Sequence, residues 1–355
     1  MQRFIIRLFC KSMEWLLRIR TWLIRFPEKD PTQILVDNYT EAQLQAEQRL
    51  QKANNQQSIA FPVKCNSVLI AIPFKDKSSV TNQCLTSLLK QNIDHLEITI
   101  VLIDNNSTEK HTMDWLKKIP KQPKPHIKIV TLTIAQAFNF SFLINESVRK
   151  YAKSNTDWLL ILNNDTEMRS TDDLQKLITF ANHCPNLGAL GCTLLYPNNK
   201  IQHLFAAPGQ KIVAGHPLKG TPYNENHIWF RQPRPVAAVT GACQLISYNN
   251  FVKVGMLDEQ LPTLGQDIDL CLKLQQMGLS NWVLPDVVLY HHEGLTKGHT
   301  FNKIEIQRVY ETWGNTLYYN DYYSKKFTRW SEHPVYGLVE RRYPWDGTIK
   351  RKSVL

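Results

Sequence analysis

The sequence lacks several features that would place it in a protein class at once. It has no uninterrupted run of the ~20 apolar residues that a membrane-spanning helix needs. It has neither a GxGxxG loop nor a GxxxxGK[ST] loop, so a dinucleotide-binding fold or a P-loop has no support. Its 14 glycines and 18 prolines in 355 residues exclude collagen-like and low-complexity chains.

Cysteines are few and isolated from one another. The seven lie at positions 10, 65, 84, 184, 192, 243 and 271, without a CxxC pair or a metal-type spacing. This usage predicts reduced thiols in a cytosolic compartment. Hydrophobic residues make up 43% of the chain and charged residues 21%, which is enough apolar material for a sizeable core and excludes a disordered protein.

Positive charge is concentrated at the two ends of the chain, which has a net charge of +11. Residues 1–30 hold seven Lys or Arg and three acidic residues, and residues 321–355 hold eight and four. A nucleic-acid binder usually spreads basic residues along one groove or face. The distribution therefore favours an anionic membrane surface as partner and predicts no nucleic-acid partner.

The N-terminal segment has the pattern of an amphipathic helix. Its basic side chains form one helical stripe, made by Arg3, Arg7, Lys11, Arg18 and Arg25. Apolar side chains lie opposite, with Trp15 and Trp22 at the boundary. We expect a membrane-associating helix over residues 1–34 and a polar helical spacer over residues 35–64. Two alternatives stay open: a secretory signal, although its apolar region is broken, and a helix packed on the protein's own core.

From residue 67 the pattern changes to alternating strands and helices. Short apolar runs predict buried strands, namely SVLIAIP, HLEITIVLID, IKIVTLT and DWLLILNND, followed by GALGCTLLYP, VAAVTGACQLISY and VLPDVVLYHHEG. Helices are expected over residues 79–91 and 138–153 and in LGQDIDLCLKLQQMG. Successive βα units predict an α/β fold with a mostly parallel, doubly wound sheet that binds ligands at the carboxyl ends of its strands.

Three polar clusters stand at the ends of apolar elements: Asn163-Asn164-Asp165, Asp267 with Asp269, and His291 with His292. An aspartate and a histidine can hold a divalent ion whose other ligands are phosphate oxygens and water. A separate carboxylate can act as a general base. Taken singly, each cluster has an ordinary alternative: a turn, a helix cap or a core histidine.

The two aspartates of the second cluster differ in their position on the predicted helix. Asp267 lies at the edge of the apolar stripe that contains Leu270 and Leu274, so it is expected to face the interior. Asp269 points about 200° away and stands four residues before Lys273, a spacing that allows a weak ion pair on a helix surface. This geometry favours Asp267 over Asp269 as the base, with a helix cap as its alternative role.

A resemblance to a known family is carried by a set of segments that follow one another along the chain: VLIAIPFKDK, LEITIVLIDNNST, AFNFSFLIN, LLILNNDTEM, LGALGCTLLYPNNKIQH, VTGACQLIS, VGMLDEQLPTLGQDIDLCLKLQQMG, LYHHEGLTKG and ETWGNTLYYNDYY. In this order they resemble the family 2 glycosyltransferases with the GT-A fold, and more narrowly the bacterial O-antigen, rhamnosyl and polysaccharide subgroup. The resemblance implies a single catalytic GT-A domain, Rossmann-like with a mostly parallel sheet, over residues 65–300. A C-terminal extension would follow over residues 301–355.

The resemblance also implies roles for individual residues. Asp267 would be the catalytic base, and Asp165 and His291 would bind the divalent metal, Mn²⁺ or Mg²⁺. Nucleotide-sugar binding would fall to Pro73, Phe74, Asp76, Asp104, Asn139, Asn164 and Lys297. The chain departs from the family pattern at Asn163 and Gln266, where the family has acidic residues. Less fixed negative charge predicts that metal affinity depends on the nucleotide already being bound.

The function implied is an inverting, non-processive transfer of a sugar from a nucleotide-diphosphate donor to a surface-glycan or lipid-linked glycan acceptor. The expected location is the cytoplasmic face of the bacterial plasma membrane, with peripheral attachment. Two alternatives stay open, a sugar-nucleotide pyrophosphorylase and an inert glycan-binding protein on the same fold. Residues 205–235 and 300–345 are expected to form the loops that set specificity. Their aromatic and basic side chains either stack on sugars or are ordinary core and surface residues; those in and near these ranges include His203, Trp229, Arg231, Trp313 and Tyr319.

Overall fold

The computed structural model describes residues 30–56, 67–292, 302–318 and 321–336. Within them one large sheet is surrounded by helices. The strands are β1 Ser67–Phe74, β2 Glu97–Asp104, β3 Ile127–Thr133, β4 Trp158–Leu162, β5 Thr166–Met168, β6 Leu187–Leu195, β7 Ile201–His203, β8 Ala207–Pro208, β9 Ala214–Gly215, β10 Arg234–Val236, β11 Cys243–Ser247 and β12 Ser280–His291. The α-helices are α1 Pro31–Asp37, α2 Glu41–Gln56, α3 Ser78–Leu89, α4 Lys110–Lys118, α5 Phe140–Tyr151, α6 Asp173–His183, α7 Tyr248–Lys253, α8 Gln266–Gln276 and α9 Lys303–Tyr318.

The sheet is mostly parallel, as predicted from the βα repeats. Its strand order is β10-β12-β6-β11-β4-β1-β2-β3, with β5 paired to β12 and β7 paired to β6. The sheet differs from a fully parallel one at β11, which runs antiparallel between β4 and β6, and at β10, β5 and β7, which also pair antiparallel with their neighbours. Strands β1, β2, β4, β6 and β12 therefore end at the same edge, where β11 begins. We call it the carboxyl edge.

The central strands are apolar throughout because both faces of the sheet are covered. Side chains of β1 alternate between two cores: Val68 and Ile70 pack with Leu85 of α3, whereas Leu69 packs with Leu143 of α5 on the other face. Helix α6 covers the same face as α3, and α8 and α9 cover the same face as α5. Burial on both faces explains why these strands show continuous apolar runs rather than an alternating pattern.

The N-terminal helices of the described region pack on the sheet domain. In α2, Glu47 pairs with Arg234 at 3.1 Å, and the Arg234 guanidinium lies over the ring of Tyr39. Asn38 donates a hydrogen bond to the hydroxyl of Tyr336. The predicted polar helix thus exists, and it is docked on the domain rather than standing apart from it. No helix in the described part of the chain is long and apolar enough to span a membrane, and residues 1–29 of the predicted amphipathic helix lie outside the described residues.

Part of the C-terminal extension packs on the sheet domain. Residues 321–336 lie against the loop that contains β8 and β9. Lys211 donates its backbone N–H to the carbonyl of Arg329, and Leu218 donates to that of Glu332. The side chain of Gln210 donates to the carbonyl of Ser331. This segment therefore supports the loops beside the carboxyl edge.

Candidate active site

Asp165 and His291 meet at the carboxyl edge. Asp165 follows β4, and His291 is the last residue of β12. The short strand β5 pairs antiparallel with β12 and sets His291 opposite Thr166, the neighbour of Asp165. The His291 Nε2 atom lies 3.0 Å from Asp165 Oδ1. Two clusters separated by more than a hundred residues in sequence thus form one site, as the sequence predicts.

Burial alone raises the pKa of the Asp165 carboxyl, but the hydrogen bond and charge of His291 outweigh burial and hold that pKa below its ordinary value. The carboxylate is only 5% exposed. It is therefore ionised at neutral pH in a partly desolvated position, where its charge acts strongly on a cation.

The donor atoms at this position fit a divalent cation. A carboxylate oxygen and an imidazole nitrogen come within 3.0 Å of each other, and both are accepted ligands of Mn²⁺. Among the described residues, no group of three or more His, Cys, Asp or Glu side chains could hold a metal ion. Two protein ligands leave the remaining positions to phosphate oxygens and water, in agreement with the asparagine at position 163.

Asp267 lies in the first turn of α8 and is partly exposed. Its Oδ2 atom accepts the backbone N–H of Gly241 at 3.0 Å, and its Oδ1 atom accepts the N–H of Ile268 at 2.9 Å. The carbonyl of Ala242, the residue after Gly241, accepts the backbone N–H of Asn163. Residues 241–242 therefore connect the predicted base directly to the turn that precedes Asp165.

The burial expected for the two aspartates is wrong for both: Asp269 does not lie on the helix surface, and Asp267, which was expected to face the interior, is the partly exposed one. The side chain of Asp269 is 2% exposed. The predicted ion pair with Lys273 is present at 2.6 Å, and Trp313 of α9 donates its indole N–H to Asp269 Oδ1 at 2.9 Å. Asp269 therefore joins α8 to α9, and of the two aspartates it is Asp267 that reaches the exposed side.

The loop before Asp267 is held from two helices. On one side, Asn139 and Asn145 of the α5 region donate side-chain hydrogen bonds to the carbonyls of Glu259 and Leu257. On the other side, the buried Glu305 of α9 accepts the backbone N–H groups of residues 263 and 264, both at 2.7 Å. These contacts fix the start of α8 and hence the position of the Asp267 carboxylate.

Asp76 and Asp104 lie at the ends of the first two strands, as expected. Asp76 Oδ1 accepts the backbone N–H groups of Thr108 and Glu109 at the start of α4. Asp104 is 2% exposed, and its Oδ1 atom accepts the N–H of Ser107 at 2.9 Å. Both carboxylates thus fix residues 105–109. Their predicted contacts with the nucleotide remain predictions.

Other predicted nucleotide-binding residues serve the scaffold of this edge. The Phe74 ring is buried against Trp115, with ring centroids 5.9 Å apart, and its contact with the nucleotide remains a prediction. Pro73 is buried beside it in β1. The side chain of Asn139 caps α5 by accepting the N–H of Phe142, and the buried Asn164 donates to Thr81.

The remaining predicted positions are core residues, residues outside the described ones, and Arg231, which is exposed and donates to the side chain of Asn226 at 3.1 Å. Trp229 is buried and stacks on Phe205 with centroids 6.0 Å apart, and His203 is buried as well. With Trp313 bonded to Asp269, these rings are core aromatics rather than sugar platforms. Lys297 and Tyr319 lie outside the described residues.

Two residues that support the site could not be found from a sequence motif. Gln202, on β7, accepts a hydrogen bond from the His291 ring at 2.6 Å. Glu305 lies in the predicted C-terminal extension and fixes the loop before Asp267. Both are single polar residues without a local motif, and only the tertiary contact reveals them.

Comparison with known proteins agrees with this geometry. Residues 69–203 match Glycosyl transferase family 2. The O-antigen biosynthesis protein RfbC of Myxococcus xanthus is 30% identical over 251 residues, which is 68% of this chain and 18% of that protein. The N-acetylglucosaminyl-diphospho-decaprenol L-rhamnosyltransferase of Mycobacterium tuberculosis is 23% identical over 57% of this chain and 68% of its own length. The chain thus spans less than a fifth of the RfbC protein.

A solved structure supports the fold. The crystal structure of GalNAc-T7 with UDP, GalNAc and Mn²⁺ aligns with a TM-score of 0.56 at 15% identity, covering 71% of this chain and 50% of that one. At this identity the likeness shows the fold alone, and it confirms the expected GT-A architecture. The strand order, the paired Asp165 and His291 and the match over residues 69–203 lead to one conclusion: the chain carries a glycosyl transferase family 2 domain of the GT-A fold.

Proposed function

We propose that this chain is an inverting, non-processive glycosyltransferase that moves a sugar from a nucleoside-diphosphate donor to a hydroxyl group of a surface glycan. The observation that carries the proposal is the arrangement of Asp267 beside the Asp165–His291 pair, through residues 241–242, at the carboxyl edge. A base and a cation site at one strand-end edge are what a single displacement at an anomeric carbon requires.

In the proposed mechanism, Asp267 removes the proton from the acceptor hydroxyl as that oxygen attacks the anomeric carbon. Hydrogen bonds from Gly241 and Ile268 orient the carboxylate without neutralising it. Attack from the face opposite the leaving diphosphate inverts the anomeric configuration. A divalent cation held by Asp165 and His291 would neutralise charge that develops on the diphosphate.

The names of the relatives support the acceptor class. One is named for O-antigen biosynthesis, and the other for rhamnosyl transfer to a diphospho-decaprenol carrier. We therefore propose a lipid-linked or surface glycan as acceptor, and a hexose or deoxyhexose as the transferred sugar. Asp76 and Asp104 are proposed to contact the nucleotide at the ends of the first two strands.

The reaction is tested by measuring release of nucleoside diphosphate from a panel of nucleotide sugars, with Mn²⁺, in the presence and absence of lipid-linked glycan acceptors. We expect release that depends on the acceptor. Formation of nucleotide sugar from a nucleoside triphosphate and a sugar 1-phosphate would instead identify a pyrophosphorylase. Nucleotide binding without any turnover would identify an inert binding protein.

We also propose that the N-terminal basic segment binds an anionic membrane surface, on the charge pattern of residues 1–29. Deleting residues 1–29 keeps Asp30, whose side chain caps α1. The truncated protein is expected to lose co-sedimentation with phosphatidylglycerol vesicles and to keep its activity on a soluble acceptor. Binding of the full chain should weaken as salt is raised, because the attraction is electrostatic. Full vesicle binding by the truncated protein would contradict the proposal, and a loss of stability without a change in vesicle binding would show that the segment packs on the core.

A further inference from the structure

Gln202 contacts His291 at two points. It is 4% exposed on β7, which pairs with β6 next to the strand that carries His291. The His291 Nδ1 atom lies 2.6 Å from Gln202 Oε1, and Gln202 Nε2 donates to the backbone carbonyl of His291 at 3.4 Å. One side chain therefore holds both the ring and the main chain of the same residue.

These two contacts determine which ring nitrogen of His291 carries the proton. A backbone carbonyl only accepts hydrogen bonds, so the NH₂ group of Gln202 must face the carbonyl of His291. Its amide oxygen then faces Nδ1, and an oxygen acceptor at 2.6 Å requires a proton on that nitrogen. When the ring is neutral it has one N–H, so its lone pair is on Nε2, the atom that lies 3.0 Å from Asp165; the hydrogen bond to the Asp165 carboxylate belongs to the doubly protonated ring.

Asp165 favours the other tautomer of His291. Its carboxylate is an acceptor next to Nε2, so it would favour a neutral ring with the proton on Nε2, and that nitrogen would then have no lone pair for a cation. The side-chain NH₂ group of Asn163 lies 3.4 Å from the same Nε2 atom and can only donate, so it too favours a lone pair there. The contact of Gln202 with Nδ1 is the shorter of the two contacts that favour the tautomer with a free Nε2 lone pair.

We propose that Gln202 is a positioning residue: it holds His291 in the Nδ1–H tautomer and thereby presents Nε2, together with Asp165, to a divalent cation. The inference deepens the proposed function and rests on it for the role of the cation. Outer partners of metal-binding histidines typically contribute about 10–100-fold to metal affinity.

The test uses Gln202→Leu, which removes the acceptor, and Gln202→Glu, which keeps it. Gln244→Leu is the matched control, because Gln244 is also a fully buried glutamine in the sheet and its side chain bonds to Cys271 rather than to His291. Mn²⁺ binding is measured by electron paramagnetic resonance in the presence of UDP or dTDP. We expect Gln202→Leu to weaken Mn²⁺ binding about 10–100-fold, and Gln202→Glu and Gln244→Leu to bind it at least as well as wild type.

The tautomer is read separately, without metal, from the ¹⁵N resonances of the His291 ring at about pH 8.5, where an ordinary histidine is neutral. The signal is assigned by its loss in His291→Ala. Wild type and Gln202→Glu should show a proton on Nδ1, and Gln202→Leu a proton on Nε2. If Gln202→Leu does not fold, Gln202→Met serves as the second variant without an oxygen acceptor.

The two readouts separate this inference from the proposed function. A Leu or Met variant with the wild-type tautomer and the wild-type Mn²⁺ affinity would overturn the role of Gln202. The tautomer could change as expected while wild type binds no Mn²⁺ with either nucleotide. Gln202 would then control the tautomer of the His291 ring, and the cation-binding role given to this ring in the proposed function would be wrong. A Gln202→Glu variant protonated on Nε2 would also contradict the inference.

Discussion

Asp267→Asn is expected to lower turnover by about 10²–10⁴-fold while the protein still binds its nucleotide sugar. The amide cannot take a proton at neutral pH, so the acceptor hydroxyl would lose its base. The two carboxylate oxygens of Asp267 accept different N–H groups, from Gly241 and Ile268. Asparagine has a single oxygen, and its NH₂ group would face one of these donors. We therefore expect a loss of about 1 kcal/mol in the free energy of unfolding.

Asp269→Asn is the matched control on the same helix turn. Asp269 contacts Trp313 and Lys273 rather than the exposed edge. Turnover should fall less than about tenfold, and stability should fall by about 1–2 kcal/mol, because the pair with Lys273 is lost. Steady-state turnover and thermal unfolding of both variants make the comparison. Near-normal turnover of Asp267→Asn would show that Asp267 is not the base.

Asp267 and Asp269 show which features the helical periodicity of a sequence predicts and which it does not. The helical pattern correctly predicts the helix and the Asp269–Lys273 pair. It does not predict that Asp269 is buried, because α9, which lies in the C-terminal extension, covers the side of α8 that holds Asp269. A periodic pattern reports which side chains share a face of one helix, and it contains no information on what a distant element places over the other faces.

The strands were predictable because burial on both faces makes them continuous apolar runs. The segment IKIVTLT, for example, forms β3 over Ile127–Thr133 as expected. The run from residue 236 to 248 was predicted as one strand, yet the strand begins only at Cys243. Residues 240 and 241 are instead held by side chains from elsewhere: Thr240 donates to His203, and Gly241 donates to Asp267.

The pair at the candidate site was predictable from the sequence, whereas the residues that hold this site in place were not. Asp165 and His291 could be paired from sequence because both end apolar strands, and parallel strands end at one edge. Gln202 and Glu305 could not, since each acts through contacts with residues more than 40 positions away. Such partners follow from strand order and helix packing, which a single sequence does not display.

The proposed metal site gives the second large effect. Asp165→Ala and His291→Ala are each expected to weaken Mn²⁺-dependent donor binding by more than about 100-fold, because each removes one of the two proposed protein ligands and even outer partners of such ligands contribute about 10–100-fold. His291→Ala should also lower stability by about 2–4 kcal/mol, since it leaves the buried Asp165 carboxylate without its partner. Donor binding is measured by calorimetry with and without Mn²⁺, and stability by thermal unfolding.

His292→Ala is the control for the neighbouring imidazole. The His292 ring is partly exposed and lies 3.8 Å from Glu167, while its backbone N–H, which the substitution keeps, donates to the carbonyl of Asp165. Its donor binding should stay close to that of wild type. Two protein ligands make a weak site by themselves, so wild-type Mn²⁺ binding should strengthen markedly when a nucleoside diphosphate supplies phosphate oxygens. Unchanged activity in excess chelator, or equal Mn²⁺ affinity with and without nucleotide, would show that this arrangement of ligands is wrong.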